Sequence, residues 1–399
     1  MSLQPEKRRV CVATGSRAEY GLLVPTLEAL RDAGDFDLQL LVTGAHLSPI
    51  YGNTIEAIEA DGFVVDAAVD MGLAASTPVA ITKSVGLGMI GIADALQALK
   101  PDIIVILGDR YEMLAVGSAA LFQRIPIAHI HGGEVTAGAF DEAIRHSLTK
   151  MAHLHLVAAD QFAARVRQLG ENPDTIKVVG APGLENLRRM EPLSRQELEA
   201  DLGITLSETT FLITFHPVTL EKRTPRDSID ALLDALSAFP DASMIFTGAN
   251  ADTRSDVIHD RVSQFVNGRK NKAVLVSNLG QKRYLSAMKL ASAVVGNSSS
   301  GIIEAPFARA PTVNIGQRQA GRPQAESIID CVDESQAIEK ALRKALDPAF
   351  RQEWPEQLSL FGDGYTADRI VAALREMDLS EGSLLKRFFD IDTPTASTK

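Results

Sequence analysis

The feature that most limits what this chain can fold into is a repeated alternation. Short aliphatic runs are each followed by a longer stretch with apolar residues at helical spacing. The runs are Arg9–Thr14, Leu38–Thr43, Phe63–Val69, Asp102–Leu107, Pro126–Ile130, Leu154–Ala158 and Ile176–Val179. A second set comprises Phe211–Phe215, Ser243–Thr247, Ala273–Val276, Ala293–Val295, Pro311–Ile315 and Ser327–Cys331. Between them, segments such as Leu22–Ala33, Val85–Leu99, Phe140–His153, Ile229–Phe239 and Tyr284–Leu290 are expected to be helical. A strand, a helix and a further strand in one sheet imply a right-handed crossover and parallel strands. Parallel sheets are covered on both faces, so their strands read as unbroken aliphatic runs. Aromatics are scarce at 5%, while Ala, Val, Ile and Leu dominate, which suits such strands.

Two sheets of about six strands suit this length better than one very large sheet. The expected fold class is therefore α/β, with two Rossmann-like doubly wound domains. Gly180, Pro182, Gly183 and Pro192 place the boundary near Ala181–Leu193. The expected division is 1–181 and 182–365, followed by 366–399 as a C-terminal helix and polar tail. In that helix Ala367, Ile370, Val371 and Leu374 fall at helical spacing, although the pattern does not say which domain it packs on.

A formal net charge of −11 argues against a nucleic-acid or anionic-membrane partner, either of which needs a basic surface. Any phosphorylated ligand must then be met by local arginines and helix ends. Cys11 and Cys331 are the only cysteines, too few for a disulfide framework or a thiolate metal site, and core packing is expected for both. Met1–Arg9 is polar, and no uninterrupted apolar run approaches the roughly 18–20 residues of a membrane span. A cytoplasmic location is the expectation.

Ligands of open α/β sheets sit at the carboxyl ends of strands, beside helix N-termini. The notable polar residues fall there. After the first strand, Thr14-Gly15-Ser16-Arg17 leads into a helix, where backbone N–H groups and Arg17 can face an anion or simply form an ordinary turn. The strand ending at Leu107 runs into Gly108-Asp109-Arg110, a carboxylate beside a cation, either catalytic or a structural ion pair. Then come His129-Ile130-His131-Gly132-Gly133-Glu134 and Phe140-Asp141-Glu142-Ala143-Ile144-Arg145-His146. No cysteine or carboxylate cluster completes a four-ligand set around His129 and His131, so no metal is expected. The glycine pair presents Glu134 at a strand tip. Asp141 with Arg145 and Glu142 with His146 stand at i,i+4, the spacing of surface ion pairs, but their nearness to Glu134 favours catalysis.

In the second half, Pro217 biases His216 toward an extended backbone at a strand end. Gly296-Asn297-Ser298-Ser299-Ser300-Gly301 joins a strand to a helix carrying Glu304. Hydroxyls and free N–H groups there form an anion cradle, and it is not a Walker loop because no Gly-Lys-Ser/Thr follows. Glu304 stands where acidic residues accept ribose hydroxyls in dinucleotide folds. Arg318 and Arg322 follow a further strand.

Together these motifs resemble the UDP-N-acetylglucosamine 2-epimerase family, its hydrolysing branch in particular, from about Val10 to Cys331. The most specific part is Gly108-Asp109-Arg110-Tyr111-Glu112 with His129-x-His131-Gly-Gly-Glu134 and Asp141-Glu142-x-x-Arg145-His146. With no kinase domain appended, the chain looks like the bacterial single-function enzyme. The resemblance implies a glycosyltransferase-B-type fold with two domains facing a cleft, a homodimer or homotetramer, and no metal or redox cofactor. It implies hydrolysis of UDP-N-acetylglucosamine to UDP and N-acetylmannosamine through a 2-acetamidoglucal, with Asp109, Glu134 and Asp141 as acid/base groups and His216 assisting the departing phosphate. Arg17, Asn250, Ser298, Ser299, Glu304, Arg318 and Arg322 would hold UDP, Arg110 would lie beside the diphosphate, and His131 and Arg145 would complete the substrate site. His131 stands where some relatives carry a further carboxylate.

Within enzymes the rival reading is a glycosyltransferase of the same fold, which never touches C2. A non-catalytic UDP-sugar sensor would need the cradle without the carboxylates. The same hydrolysing reaction could also act on the 4-acetamido-4,6-dideoxy analogue, UDP-N,N′-diacetylbacillosamine. The apolar Met71–Val79 segment, with Leu73, Ala74, Ala75 and Pro78, is expected to be a lid that would suit its methyl group. UDP-N-acetylglucosamine is the favoured sugar.

Overall fold

The computed structural model describes residues 7–49, 52–73, 77–135, 140–216, 224–248, 255–276, 279–352, 354–355, 359–382 and 385–391. The chain divides into two compact units. One comprises Met1–Glu134, Ala139–Glu185 and Gly364–Lys399, and the other Val135–Gly138 and Asn186–Asp363.

In the first unit the strands are β1 (Arg8–Thr14), β2 (Phe36–Thr43), β3 (Ala67–Val69), β4 (Ile103–Leu107), β5 (Ile127–Ile130), β6 (Leu154–Val157) and β7 (Ile176–Val178). They form one parallel sheet in the order β3-β2-β1-β4-β5-β6-β7. The order reverses between β1 and β4, the switch point of a doubly wound sheet. Residues alternate faces along each strand. Val10 and Val12 point with Leu40 and Val105 to one side, against Leu23, Leu27 and Leu30 of the helix Arg17–Asp32. Cys11 and Ala13 point with Ile104 and Ile106 to the other, against Ile92, Leu96, Val116 and Leu148. Burial pushes the Cys11 thiol up to about 12, so it packs as a small apolar group.

The helix Thr366–Glu376 also belongs to this unit: Ile370, Val371 and Leu374 join the β1/β2 face of the core. Glu185 accepts from the Ala367 amide at 2.6 Å, satisfying a donor of that helix's first turn. The helix Pro78–Leu99 starts at the Thr77 side chain, which accepts from the Ala80 amide at 3.2 Å, with proline in the first turn. Ser84, Gly88, Ile92 and Leu96 form its one buried stripe. Its length and composition would also suffice to cross a membrane, a property hidden in the sequence because Lys83 and Asp94 interrupt the apolar run.

Ahead of this helix, Met71 and Leu73 are buried, and Met71 fills the space where a Gly88 side chain would stand. Their apolarity serves the core, which removes them from the lid expected over Met71–Val79. Ala74 and Ala75 lie outside the described residues, and Pro78 opens the helix.

The second unit contains β8 (Thr210–Thr214), β9 (Ser243–Thr247), β10 (Ala273–Val276), β11 (Ala293–Gly296), β12 (Thr312–Ile315) and β13 (Ile328–Cys331). The order is β10-β9-β8-β11-β12-β13, all parallel, with its switch between β8 and β11. Phe211, Ile213 and Phe215 face one helical layer, while Leu212, Ile245 and Val294 face the other.

Candidate active site

In the first unit the polar groups converge at the carboxyl ends of β4 and β5. Gly108 leaves β4 with φ +81°, a conformation that favours glycine, and aims Asp109 out of the sheet. His129, fully buried on β5, holds that turn: its Nε2 lies 2.7 Å from the Gly108 carbonyl and donates to it. Burial pushes the imidazole down to about 3, so it is the neutral ring that does so. Its Nδ1 lies 3.3 Å from the Thr149 hydroxyl on the helix Asp141–Met151.

One residue later the backbone of His131 is left-handed at φ +63°, a strained state for a residue with a side chain. It donates from Nδ1 to Oε1 of the buried Glu134. Gly133 admits no side chain, because a Cβ would stand 2.6 Å from the Phe162 carbonyl oxygen. Glu134 follows directly on this close approach.

The i,i+4 spacing along the helix Asp141–Met151 allows two surface ion pairs, beside the catalytic reading that nearness to Glu134 favours. Glu142 and His146 form theirs at 3.1 Å. Arg145 does something else: it is buried, pairs with Asp109 and donates to the His131 carbonyl at 2.6 Å. One guanidinium therefore ties both strand-end loops to the helix, and Arg145 acts as a positioning residue. Asp141 stands close by, its carboxyl pushed up to about 6 by burial and then by the Asp109 carboxylate. Near neutrality it can both take and give a proton.

Beneath Arg110 lies a second carboxyl pair that the sequence did not disclose. The fully buried Glu112 accepts from Arg110 at 2.8 and 3.1 Å. Glu19 accepts from the Gly15 amide at 2.7 Å and is pushed up to about 8 by burial and by Glu112. Gly15 is required here, since a Cβ would meet Glu112 at 2.9 Å. Arg17 is exposed at the first residue of its helix. Among the described residues no three His, Cys, Asp or Glu side chains gather as a metal-ligand set.

In the second unit Asn297 locks the ends of β8 and β11 together. It accepts from the His216 amide at 2.7 Å and donates to the His216 carbonyl at 2.9 Å. Gly296, at φ +132°, passes so close to β8 that a Cβ would lie 1.9 Å from the Thr214 carbonyl oxygen. Ser299 caps the helix Ser300–Phe307 without spending its hydroxyl on it, and Tyr284 bonds Ser300. Ser298 and Ser300 hydroxyls are 3.2 Å apart. Arg318 and the buried Gln319 converge on the Asn297 carbonyl at 3.1 and 2.9 Å. Glu304 is on the same helix, near Tyr284, and Arg322 is half-buried beyond. Asn250 and Pro217 lie outside the described residues. Tyr284, Gln319 and Glu19 lie outside the expected site residues, whereas His129 stands in the His129-x-His131 motif, where the sequence weighs it as a metal ligand and not as the support of the Gly108 turn.

The UDP-N-acetylglucosamine 2-epimerase family model matches residues 28–375. A GDP/UDP-N,N′-diacetylbacillosamine 2-epimerase (hydrolyzing) of Campylobacter jejuni is 38% identical over 96% of this chain and 100% of its own. The polysialic acid biosynthesis protein P7 of Escherichia coli is 36% identical over 98% and 99% of the two chains. A UDP-N,N′-diacetylbacillosamine 2-epimerase (hydrolyzing) of Legionella pneumophila is 32% identical over 95% and 98%. Among solved structures, the UDP-GlcNAc 2-epimerase of Neisseria meningitidis bound to UDP-GlcNAc superposes with a TM-score of 0.70 at 17% identity, covering 92% and 100% of the chains. That likeness places the fold in the glycosyltransferase-B type.

Proposed function

The chain belongs to the UDP-N-acetylglucosamine 2-epimerase family, in its hydrolysing branch, and from that premise we propose how its residues divide the reaction. A UDP-linked 2-acetamido sugar loses the C2 proton and UDP, leaving a 2-acetamidoglucal. Water then adds at C1 and a proton returns to the other face of C2, releasing the free 2-epimer.

The observation that carries this reading is that the buried Arg145 pairs with Asp109, beside Asp141, and holds the carbonyl of His131, whose ring bonds Glu134. The C2 hydrogen is barely acidic, so its removal needs a positioned carboxylate and concurrent departure of the anionic leaving group. Asp109, fixed by Arg145, suits the base. Asp141, which can hold or release its proton near neutrality, suits proton return. Glu134, bonded to His131, suits activation of water. A glycosyltransferase or a sensor has no use for this set.

The second unit supplies the nucleotide-holding groups: Ser298, Ser299 and the N–H groups opening their helix, Arg318, Arg322, and Glu304 for the ribose. They stabilise charge growing on the departing diphosphate, and His216 assists there. Arg17 and Arg110 in the first unit meet phosphate charge.

For the sugar, the relatives at 38% and 32% identity favour UDP-N,N′-diacetylbacillosamine, reversing the preference drawn from the sequence. UDP-N-acetylglucosamine is the second reading, supported by the relative named for polysialic acid biosynthesis. Proton NMR in deuterated buffer with each sugar tests both levels. Free UDP, deuterium at C2 and a tenfold higher kcat/KM for the diacetylated sugar, about 1.4 kcal/mol in transition-state binding, are expected. Retention of the C2 proton overturns the glycal route. A tenfold preference for UDP-N-acetylglucosamine overturns only the sugar.

A further inference from the structure

Beyond the helix Thr366–Glu376 the sequence reads as a polar tail, yet residues 386–389 lie against the first unit. Gly170, just past the helix Asp160–Gln168, has φ +80°, and a Cβ there would overlap the Phe388 ring. That ring also lies 5.0 Å from the Lys150 ammonium. The Phe389 amide donates to the Gly170 carbonyl at 2.9 Å, and its ring stands 5.7 Å from the Arg167 guanidinium.

This seating carries Lys386 to the end of the helix Asp141–Met151. Its ammonium pairs with Glu171 at 2.7 Å, donates to the Lys150 carbonyl at 2.6 Å and donates to the Ala152 carbonyl. An ammonium has three donors, so all are spent. The carbonyls closing a helix lack partners within it, and a cation is favoured there. Glu171 is buried and has two other partners, Lys150 at 2.5 Å and the buried His155 at 2.9 Å. His155 on β6 stands in register with His129 on β5.

The rest of the same helix serves the site. Asp141 opens it, Arg145 ties it to Asp109 and to the His131 carbonyl, and Thr149 meets His129, which holds the Gly108 turn. Phe140, its N-cap, makes no side-chain bond to the first turn. Eleven residues at 1.5 Å each make a strut about 16 Å long. Where its last turn is held therefore helps to decide where Arg145 and Asp141 stand.

We propose that residues 386–389 clamp this helix and that Lys386 is a positioning residue of the reaction, acting through the helix on Asp141 and Arg145, and through Arg145 on Asp109. The inference rests on the catalytic reading of Asp109 and Asp141.

Steady-state kinetics of the full chain carrying K386M test it, with whichever of the two UDP-sugars the wild type turns over. Methionine removes every donor, while Glu171 keeps Lys150 and His155. A misplacement of about 1 Å can cost 10²-fold, so kcat is expected to fall about tenfold or more. KM and the UDP dissociation constant should stay within about twofold. K386R keeps the charge and donors at the helix end and should return kcat to within about threefold of wild type. F388A loosens the tail without touching a buried group, since that ring is 66% exposed, and should also lower kcat. A lowered thermal midpoint with unchanged kcat would reduce the segment to a structural staple and overturn the proposal. So would an equal loss in K386R and K386M, or a change in KM alone. Should K386M fail to fold, F388A decides: wild-type kcat overturns the clamp. D109N, run in parallel, separates the two levels. Normal turnover by D109N sinks the catalytic reading and the clamp with it, whereas an inactive D109N beside a fully active K386M overturns the clamp alone.

Discussion

Asp141→Asn keeps the shape of the side chain and removes its titration. In the folded chain the Asp141 carboxyl is raised from 3.8 to about 6 by burial and by Asp109. A group whose folded pKa lies above its unfolded value contributes stability that is fully present below the unfolded pKa and is lost as pH rises through the folded one. The protonated carboxyl therefore stabilises the wild type below about pH 4 and has ceased to do so by about pH 7. A shift of two units corresponds to roughly 3 kcal/mol. Asp141 is only half-buried, so solvent screening reduces this to about 1–2 kcal/mol.

Urea midpoints of wild type and D141N, measured without substrate at intervals from pH 4 to 7, isolate the effect, because other titrating groups are common to both proteins. The wild type should lose about 1–2 kcal/mol relative to D141N across that window. The Asp109–Asp141 pair titrates jointly, so the transition is expected to be broad. A difference that stays flat, or that opens in the opposite direction, refutes the argument from burial and like charge.

Glu134→Gln should lower kcat about 10²-fold or more while the UDP dissociation constant, read by calorimetry, stays within about twofold. Normal turnover would remove Glu134 from the chemistry. Gly296→Ala drives a methyl into the Thr214 carbonyl at 1.9 Å and should cost the second unit about 3 kcal/mol, visible as a lowered thermal midpoint; an unchanged midpoint contradicts the close approach of β11 to β8. Ser299→Ala and Arg322→Ala should each weaken UDP binding about tenfold with little effect on thermal stability, and unaltered affinity would exclude them from the nucleotide site.

Each of the thirteen expected strands has its counterpart among the described residues. Buried parallel strands must be aliphatic throughout, and glycine or proline marks most of their ends, so little else competes with that reading. Phe63–Val69 shrank to Ala67–Val69 because only its last residues pair with β2. The helix Thr366–Glu376 was legible, but its partner was not: an apolar stripe states that something covers it and never what. The site divides in the same way. Asp109, Glu134 and the Ser298–Ser300 turn announced themselves at strand ends, where backbone direction alone aims side chains outward. For Arg145 the i,i+4 spacing offers Asp141 as a partner and cannot show Asp109, which arrives from the end of another strand. Glu112 stands in the Gly108–Glu112 motif, but its nearness to Glu19 was not legible, because that arises from packing a loop against a helix.

The return of the chain to its first unit at Gly364 has a bearing on synthesis. The second unit is in effect an insertion, and Ile370 and Leu374, which finish the hydrophobic layer over Val10 and Leu23, leave the ribosome only after that whole unit. At about 5–20 residues per second, the amino-terminal half waits on the order of ten seconds or more with that layer open. The inserted unit, contiguous apart from the short Val135–Gly138 piece, can close its own core meanwhile. A chain stalled or cleaved before Thr366 would then carry a finished second unit behind a first unit that sticks to chaperones, a fate decided by connectivity alone.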